Sequence, residues 1–297
     1  MRGHSRLLVL LTTAIVIVVL GASFASAVER TPAQPKSNGW LAVVNYYRST
    51  AHLPRVRKND VLSKKATKHA KYMVRNDVVT HEENPKLPGY TKAGNEAGQS
   101  SNVAGWWGST PSNRDFVEMW MTGPFHALGI LRPNLKKVGY GVAHDDGGLT
   151  SAAALDVIHG LSYDGTTSTD YPIVWPGDHT TQPLTSYRGG EYPNPLSSCK
   201  DYSVPSGLPI VIQFAVPVVK PDVTFKTKSG DKLPACEVDG TNYKNNEAAA
   251  QSLGRALLTG DRAVLVIPKA PLEPGKSYVV KVTSGTETAR SRFSISG

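Results

Sequence analysis

The stretch MWMTGPFHALGILRPNLKKVGYG, residues 119–141, decides the fold. Ser112 and Asp115 form a Ser-x-x-Asp capping box ahead of Phe116, Met119 and Trp120, which predicts a helix running into the stretch. Gly123-Pro124 ends that helix, and KKVGYGVA (136–143) follows as a strand. A second strand, TSAAALDVIHG (150–160), is joined to it by the turn-rich HDDGGL. Between helix and strand stands one histidine, His126, and local sequence alone assigns it no role.

Working outward, NGWLAVVNYYRST (38–50) carries Trp40, Val43, Val44 and Tyr47 at helical spacing. A second helix follows Asn59 and Asp60 as caps, with Leu62, Ala66, Ala70 and Met73 as its buried stripe. His69 flanks that stripe as a core-edge histidine, and Lys64, Lys68, Lys71 and Arg75 form the opposite, solvated face. Residues 80–110 turn to Gly, Asn, Ser and Pro, the composition of a long ordered loop interrupted by AGWWG. Residues 161–195 read as an ordered connector. Beyond them LPIVIQFAV, VTFKTK, AVLVIPKA, SYVVKVTSG and RSRFSIS are short β-rich runs, predicting a β-sandwich over 196–297.

The chain opens with Arg2 and Arg6, an apolar run from Leu7 to Leu20, and Ala25-Ser26-Ala27. This pattern predicts a secretory signal peptide over 1–27 followed by a polar tail over 28–37; a retained membrane anchor is the alternative. Either way the folded part is expected outside the cytoplasm, secreted or wall-associated, with no stable membrane span once the leader is removed. Cys199 and Cys236 are the only cysteines, and export lets them pair. Such a bridge stabilises by about 4 kcal/mol at most on chain-entropy arithmetic. The formal net charge of +9 favours anionic neighbours. An exported chain without a nucleic-acid motif makes nucleic acid an unsuitable partner.

Several motifs fail on inspection. HEENP begins like His-Glu-x-x-His, but Pro85 stands where the second histidine is needed. APLEPGKSY imitates the end of a phosphate loop with Ala270 in place of its first glycine, and no Gly-x-Ser-x-Gly occurs. What remains is dispersed: His81, Glu96 and His126. Two imidazoles and a carboxylate suit a divalent ion, zinc foremost, if the fold joins them.

In order along the chain, NYYRSTAHLPRVRKNDVLSKKATKHAKYM, THEENPKLPGY, GNEAGQSSN and MWMTGPFHALGILRPNLKKVGYG resemble the CAP superfamily, or SCP-like domains, in its secreted bacterial branch. The resemblance covers about residues 38–160 and includes Asn45 and Arg48 on the first helix. It implies an α+β fold, an αβα sandwich with a central cavity lined by two histidines and acids, which in some members holds divalent cations. By position His81 and His126 match the histidines and Glu96 the first acid. The second family acid follows the tryptophan by three, where this chain has Gly123; Glu118 is the substitute if the helix is rotated. The C-terminal part resembles the all-β Ig-like domains appended to such proteins, in a spacer or wall-contact role.

Three functions follow as expectations. The first is a non-enzymatic, monomeric binding module whose cavity holds a metal, a lipid or a wall or envelope component. The second is a metal-assisted hydrolase of envelope peptides or glycans, with Glu96 as general base. The third is a structural or adhesion module of the wall.

Overall fold

The computed structural model describes residues 33–36, 39–164 and 170–297. The expected leader, and all but a few residues of the expected tail, lie outside the described residues. Among the described residues no helix is long and apolar enough to cross a membrane.

The N-terminal unit is built from α1 (Trp40–Ser49), β1 (Arg57–Lys58), α2 (Asp60–Arg75), α3 (Lys92–Gln99), β2 (Ser101–Trp107), α4 (Asn113–Thr122), α5 (Pro124–Leu131), β3 (Lys137–His144) and β4 (Leu149–Asp156). Its sheet has the order β1-β3-β4-β2, with β1 parallel to β3 and the other pairs antiparallel. Helices cover both faces. On one side Ala66, Ala70 and Met73 of α2 meet Ala152 and Ala154 of β4; on the other, Ala153 and Leu155 join the core that holds Val44, Phe116 and Trp120. Small residues in β4 follow from burial on both faces, which brings helix layers close.

The caps expected from sequence are present. Asn59 accepts from the Val61 and Leu62 amides, and Ser112 with Asp115 closes a capping box. Glycines of β3 let α2 lie directly on the strand. A Cβ on Gly139 or Gly141 would run into the α2 backbone at Leu62–Ser63 or Ala66–Thr67. Backbone cannot swing aside as a flexible side chain can, so Gly141→Ala is expected to cost about 2 kcal/mol in urea unfolding. A neutral result there would mean that α2 packs more loosely than described.

Arg48 ties the unit together from inside. Its guanidinium is fully buried and donates to the carbonyls of Pro54, Ile130, Arg132 and Leu135, at 2.8, 2.7, 2.9 and 3.5 Å. Burial pulls its pKa down to about 10, which leaves it charged at neutral pH. Three of the four carbonyls belong to the end of α5 and the chain just after it, so Arg48 holds the exit of the helix that carries His126.

The C-terminal part comprises β5 (Ile173–Trp175), β6 (Thr181–Gln182), β7 (Ser186–Tyr187), β8 (Ser206–Gly207), β9 (Ile210–Gln213), β10 (Asp222–Thr227), β11 (Ala235–Asp239), α6 (Ala248–Gly260), β12 (Ala263–Pro268), β13 (Ser277–Ser284) and β14 (Glu287–Ile295). Two four-stranded sheets, β10-β13-β14-β6 and β11-β12-β9-β5, and the β7-β8 pair make it β-rich. The Cys199–Cys236 disulfide is formed, with Cα atoms 5.7 Å apart. The expected strands appear, but an all-β description does not hold. The run AAAQSLGRALLTG is helix α6, because alanine and leucine favour helix and Ala250, Gly254 and Leu258 give it a buried stripe. The stretch read as a connector also supplies β5, β6 and β7, which join strands of the C-terminal sheets.

The two parts share one hydrophobic cluster, from Val43 in α1 to Trp175 and Leu265. Trp175 donates to Thr50 Oγ1 at 3.1 Å, Gln213 donates to the Leu131 carbonyl at 3.1 Å, and Arg132 makes a two-point pair with Asp261 at 2.8 and 2.9 Å. A spacer role for the C-terminal part does not fit this packing.

Candidate functional site

His81 sits in the segment between α2 and α3, and that segment is pinned by buried polar contacts. His69 of α2 is fully buried; its Nδ1 meets Glu83 Oε1 at 3.0 Å and its Nε2 meets the Thr80 carbonyl at 2.7 Å. Both ring nitrogens of His69 are therefore engaged. Glu83 Oε2 accepts from the Thr91 amide at 2.8 Å, and the Glu83 amide donates to Asn95 Oδ1 at 2.7 Å. Gly98 fits between because it has no side chain: a Cβ there would stand 2.6 Å from His69 Nε2 and 2.5 Å from the His81 carbonyl oxygen. His81 Nδ1 pairs with the Gly98 carbonyl at 2.9 Å. A carbonyl only accepts, so Nδ1 carries the hydrogen, and in the neutral ring Nε2 is left as an acceptor.

His126 is the third residue of helix α5, which begins at Pro124 directly after the α4 cap, where the sequence pattern shows only a helix stop and a following strand. Gly123 gives α5 no side-chain cap. The cap comes from Glu191, whose Oε1 accepts from the His126 amide and from His126 Nδ1, both at 2.8 Å. A carboxylate on the first turn of a helix is favoured by the unpaired amides and by the helix dipole. Glu191 thus fixes the ring in the form that leaves Nε2 free, as the carbonyl of Gly98 does for His81. Asn102 adds a hydrogen bond to the His126 carbonyl at 2.9 Å.

Both histidines line one cleft of about 400 Å³. Phe125, Val157 and Ile158 of the N-terminal unit and Tyr192, Leu253 and Leu257 of the C-terminal part form its apolar surface. Arg132 also lines it, but its guanidinium is held by Asp261. His81 stands at the solvent edge; desolvation lowers its pKa below 6.5, the Gly98 bond opposes this and the nearby His126 ring reinforces it. Its folded pKa lies below that of the unfolded chain, so the unfolded state takes up protons first and stability falls as pH drops below about 6.5. His81→Gln is expected to flatten that part of the urea-midpoint profile, and an unchanged acid limb would refute the assignment.

The structure brings His81 and His126 together and leaves both expected acids out. Glu96 lies on the outer face of α3, paired with Lys65 Nζ at 3.0 Å, because the helical turn there carries Gly94, Ala97 and Gly98 inward instead. Glu118 faces α1 rather than the histidines: it accepts from the Tyr47 hydroxyl at 3.1 Å and pairs with Arg114 at 3.2 Å. Burial, with Glu118 adding to it, pushes the Tyr47 hydroxyl pKa well above its usual value. The acids that contact His69 and His126, Glu83 and Glu191, are not among the sequence candidates. A Cβ on Gly123 would lie 2.7 Å from Glu191 Oε1. The carboxylate missing at position 123 is therefore replaced in space by one from 68 residues further along the chain.

For a divalent ion the two Nε2 atoms are suitable donors with the outer hydrogen bonds that ligating histidines generally make. Among the described residues, however, no group of three or more His, Cys, Asp or Glu is placed to hold a metal. A catalytic zinc generally has three protein ligands, and this donor set does not fit one. Glu82, at the cleft rim, is exposed.

The family model described as CAP, the Cysteine-rich secretory protein family, matches residues 41–155. That segment is a CAP domain. It contains His81 and His126 and ends before Glu191, so one contact that fixes the site comes from beyond it. No curated protein matches the chain. Among solved structures, an extracellular protein containing a SCP domain from Bacillus anthracis is 18% identical over 39% of this chain and 38% of that one, with a TM-score of 0.31. The chain thus spans well under half the length of that protein. An outer surface protein of Borrelia burgdorferi is 21% identical over 38% of this chain and 84% of its own, with a TM-score of 0.28. A protein named MpPR-1i is 22% identical over 45% and 94%, with a TM-score of 0.29.

Proposed function

We propose that the protein is an exported CAP-domain binding module that holds a small neutral amphiphile in the two-histidine cleft. One observation carries this: both rings have Nδ1 committed to an oxygen acceptor, and both side chains line one cleft with an apolar wall. In the ring form with its hydrogen on Nδ1, each imidazole offers an Nε2 acceptor to a hydroxyl group, while Phe125, Val157 and Leu257 offer apolar surface to a hydrocarbon body. Hydrolysis is disfavoured, because Glu96 is paired with Lys65 and Glu83 and Glu191 are engaged by histidines. The signal-like segment over 1–27 and the disulfide support export and an envelope setting. Two packed four-stranded sheets support an Ig-like reading of the C-terminal part, from which α6 and the parallel β14–β6 pair depart.

The test is calorimetric titration of the full chain with 1-lauroylglycerol below its micelle concentration, beside His81→Ala and His126→Ala. Saturable binding that weakens at least tenfold in each variant is expected. Zinc is titrated in parallel. Zinc binding that both alanine changes remove, without lipid binding, would replace the amphiphile by a divalent cation; indifference of every ligand to both changes would remove the site.

A further inference from the structure

His126 also borders a second opening, a groove of about 320 Å³ between β2, the end of α4 and the turn at Gly189–Glu191. Its walls are mostly apolar, with Val79, Val103, Met119 and Trp120, and Trp107, 58% exposed, belongs to its outer edge. One carboxylate enters this lining. The Glu191 side chain is 2% exposed, and Oε1 is spent on His126. Its other oxygen, Oε2, is buried and has no hydrogen-bond partner among the described residues. Among the described residues the only basic side chain within ion-pair distance of Glu191 is the His126 ring.

An unpaired carboxylate oxygen in apolar surroundings favours whatever brings it both a donor and a positive charge. We propose that the groove is a binding site for an alkylammonium, a primary amine on an apolar stem, with the amine against Glu191 Oε2 and the stem along Val103 and Met119. Charge-assisted hydrogen bonds are roughly twice as strong as neutral ones, which favours an amine over an alcohol. The indole of Trp107 adds an aromatic face for the cation. A carboxylate-headed ligand meets like charge and is excluded. The turn that carries Glu191 contains Gly189 and Gly190 at φ 92° and 86°, and a Cβ at 190 would meet nothing within 4 Å, so the backbone beside the carboxylate is open. This site lies beyond the neutral-amphiphile cleft but borders the same His126–Glu191 pair, so Trp107→Ala is the change that separates the two.

The experiment titrates the full chain with n-hexylammonium, n-hexanol and hexanoate at neutral pH, read by tryptophan fluorescence and calorimetry. Hexylammonium is expected to bind saturably and at least tenfold tighter than hexanol, and hexanoate not to bind. Glu191→Gln, checked for folding by circular dichroism, is expected to reduce that preference below threefold. Trp107→Ala, at an exposed position outside the two-histidine cleft, is expected to weaken hexylammonium while 1-lauroylglycerol binding is unaffected. If Glu191→Gln does not fold, the order of the three ligands on the unmodified chain and the Trp107→Ala result decide. Equal binding of hexanol, binding of hexanoate, absence of saturable hexylammonium binding, or a preference that survives Glu191→Gln overturns the proposal.

Discussion

Replacing Arg48 with methionine is expected to lower the unfolding free energy by about 3 to 5 kcal/mol, the largest effect of any single change considered. The side chain is fully buried, and so are its hydrogen bonds to the Ile130 and Leu135 carbonyls, where no water stands ready to take over. Methionine fills much of the same volume and removes every donor. The carbonyls of Pro54, Ile130, Arg132 and Leu135 then lose a partner at once. Each stranded carbonyl costs about 1 to 3 kcal/mol if it stays buried, and partial relaxation keeps the sum below four full penalties. Arg48→Lys is expected to recover only part of the loss, since an ammonium lacks the planar fork that reaches several carbonyls. Urea unfolding of the three proteins checks this; a methionine variant within 1 kcal/mol of the parent, about the error of extrapolation, would contradict it.

Glu191→Ala is expected to cost about 2 to 3 kcal/mol of stability and at least tenfold in cleft affinity. The stability loss arises because the His126 amide and ring each lose an acceptor in a nearly dry place, and α5 loses its only side-chain cap. The affinity loss has a separate cause. Without Glu191 the His126 ring loses the one hydrogen bond it makes among the described residues, and partners of this outer kind are commonly worth 10- to 100-fold at histidine sites. Glu191→Gln keeps one acceptor oxygen and is expected to retain more stability than affinity. Parallel losses in both variants would mean that Glu191 acts on packing alone.

Much of the N-terminal unit is legible in sequence because its signals are local. The Asn59 cap, the Ser112–Asp115 box and the apolar stripes of α1 and α2 each lie within one or two turns, and α1, α2, α4, β3 and β4 form where those signals stand. Helix α3 escapes such reading because Gly94 and Gly98, which look like loop residues, serve close packing against Glu83 and against His69 and His81. Its cap, Thr91 accepting from the Gly94 amide, was the available signal. Helix α5 is buried almost all round, so PFHALGIL has no polar face to set a period. Strands of two or three residues, such as β5, β6 and β7, are too short to show alternation.

The site is less legible than the fold. His81 and His126 belong to recognisable stretches, and both reach the cleft. The acids were not deducible, because a carboxylate finds its partner through tertiary structure. Glu96 kept its place in the sequence pattern and turned outward to Lys65, while Glu191, in a Gly- and Pro-rich stretch without periodicity, folded back over 65 positions onto His126. Gly123 gave half of that answer: the position lacks an acid, and its missing side chain leaves room for Glu191.

Gly98 and Glu191 hold the two histidines of one cleft by Nδ1, which leaves Nε2 unbonded among the described residues. A long-range proton–nitrogen correlation spectrum of the histidine rings tests it most directly, with His81→Gln and His126→Gln for assignment. In the neutral rings of both residues Nδ1 is expected to carry the hydrogen and Nε2 to be bare. A hydrogen on Nε2 with a bare Nδ1 in either ring would contradict it.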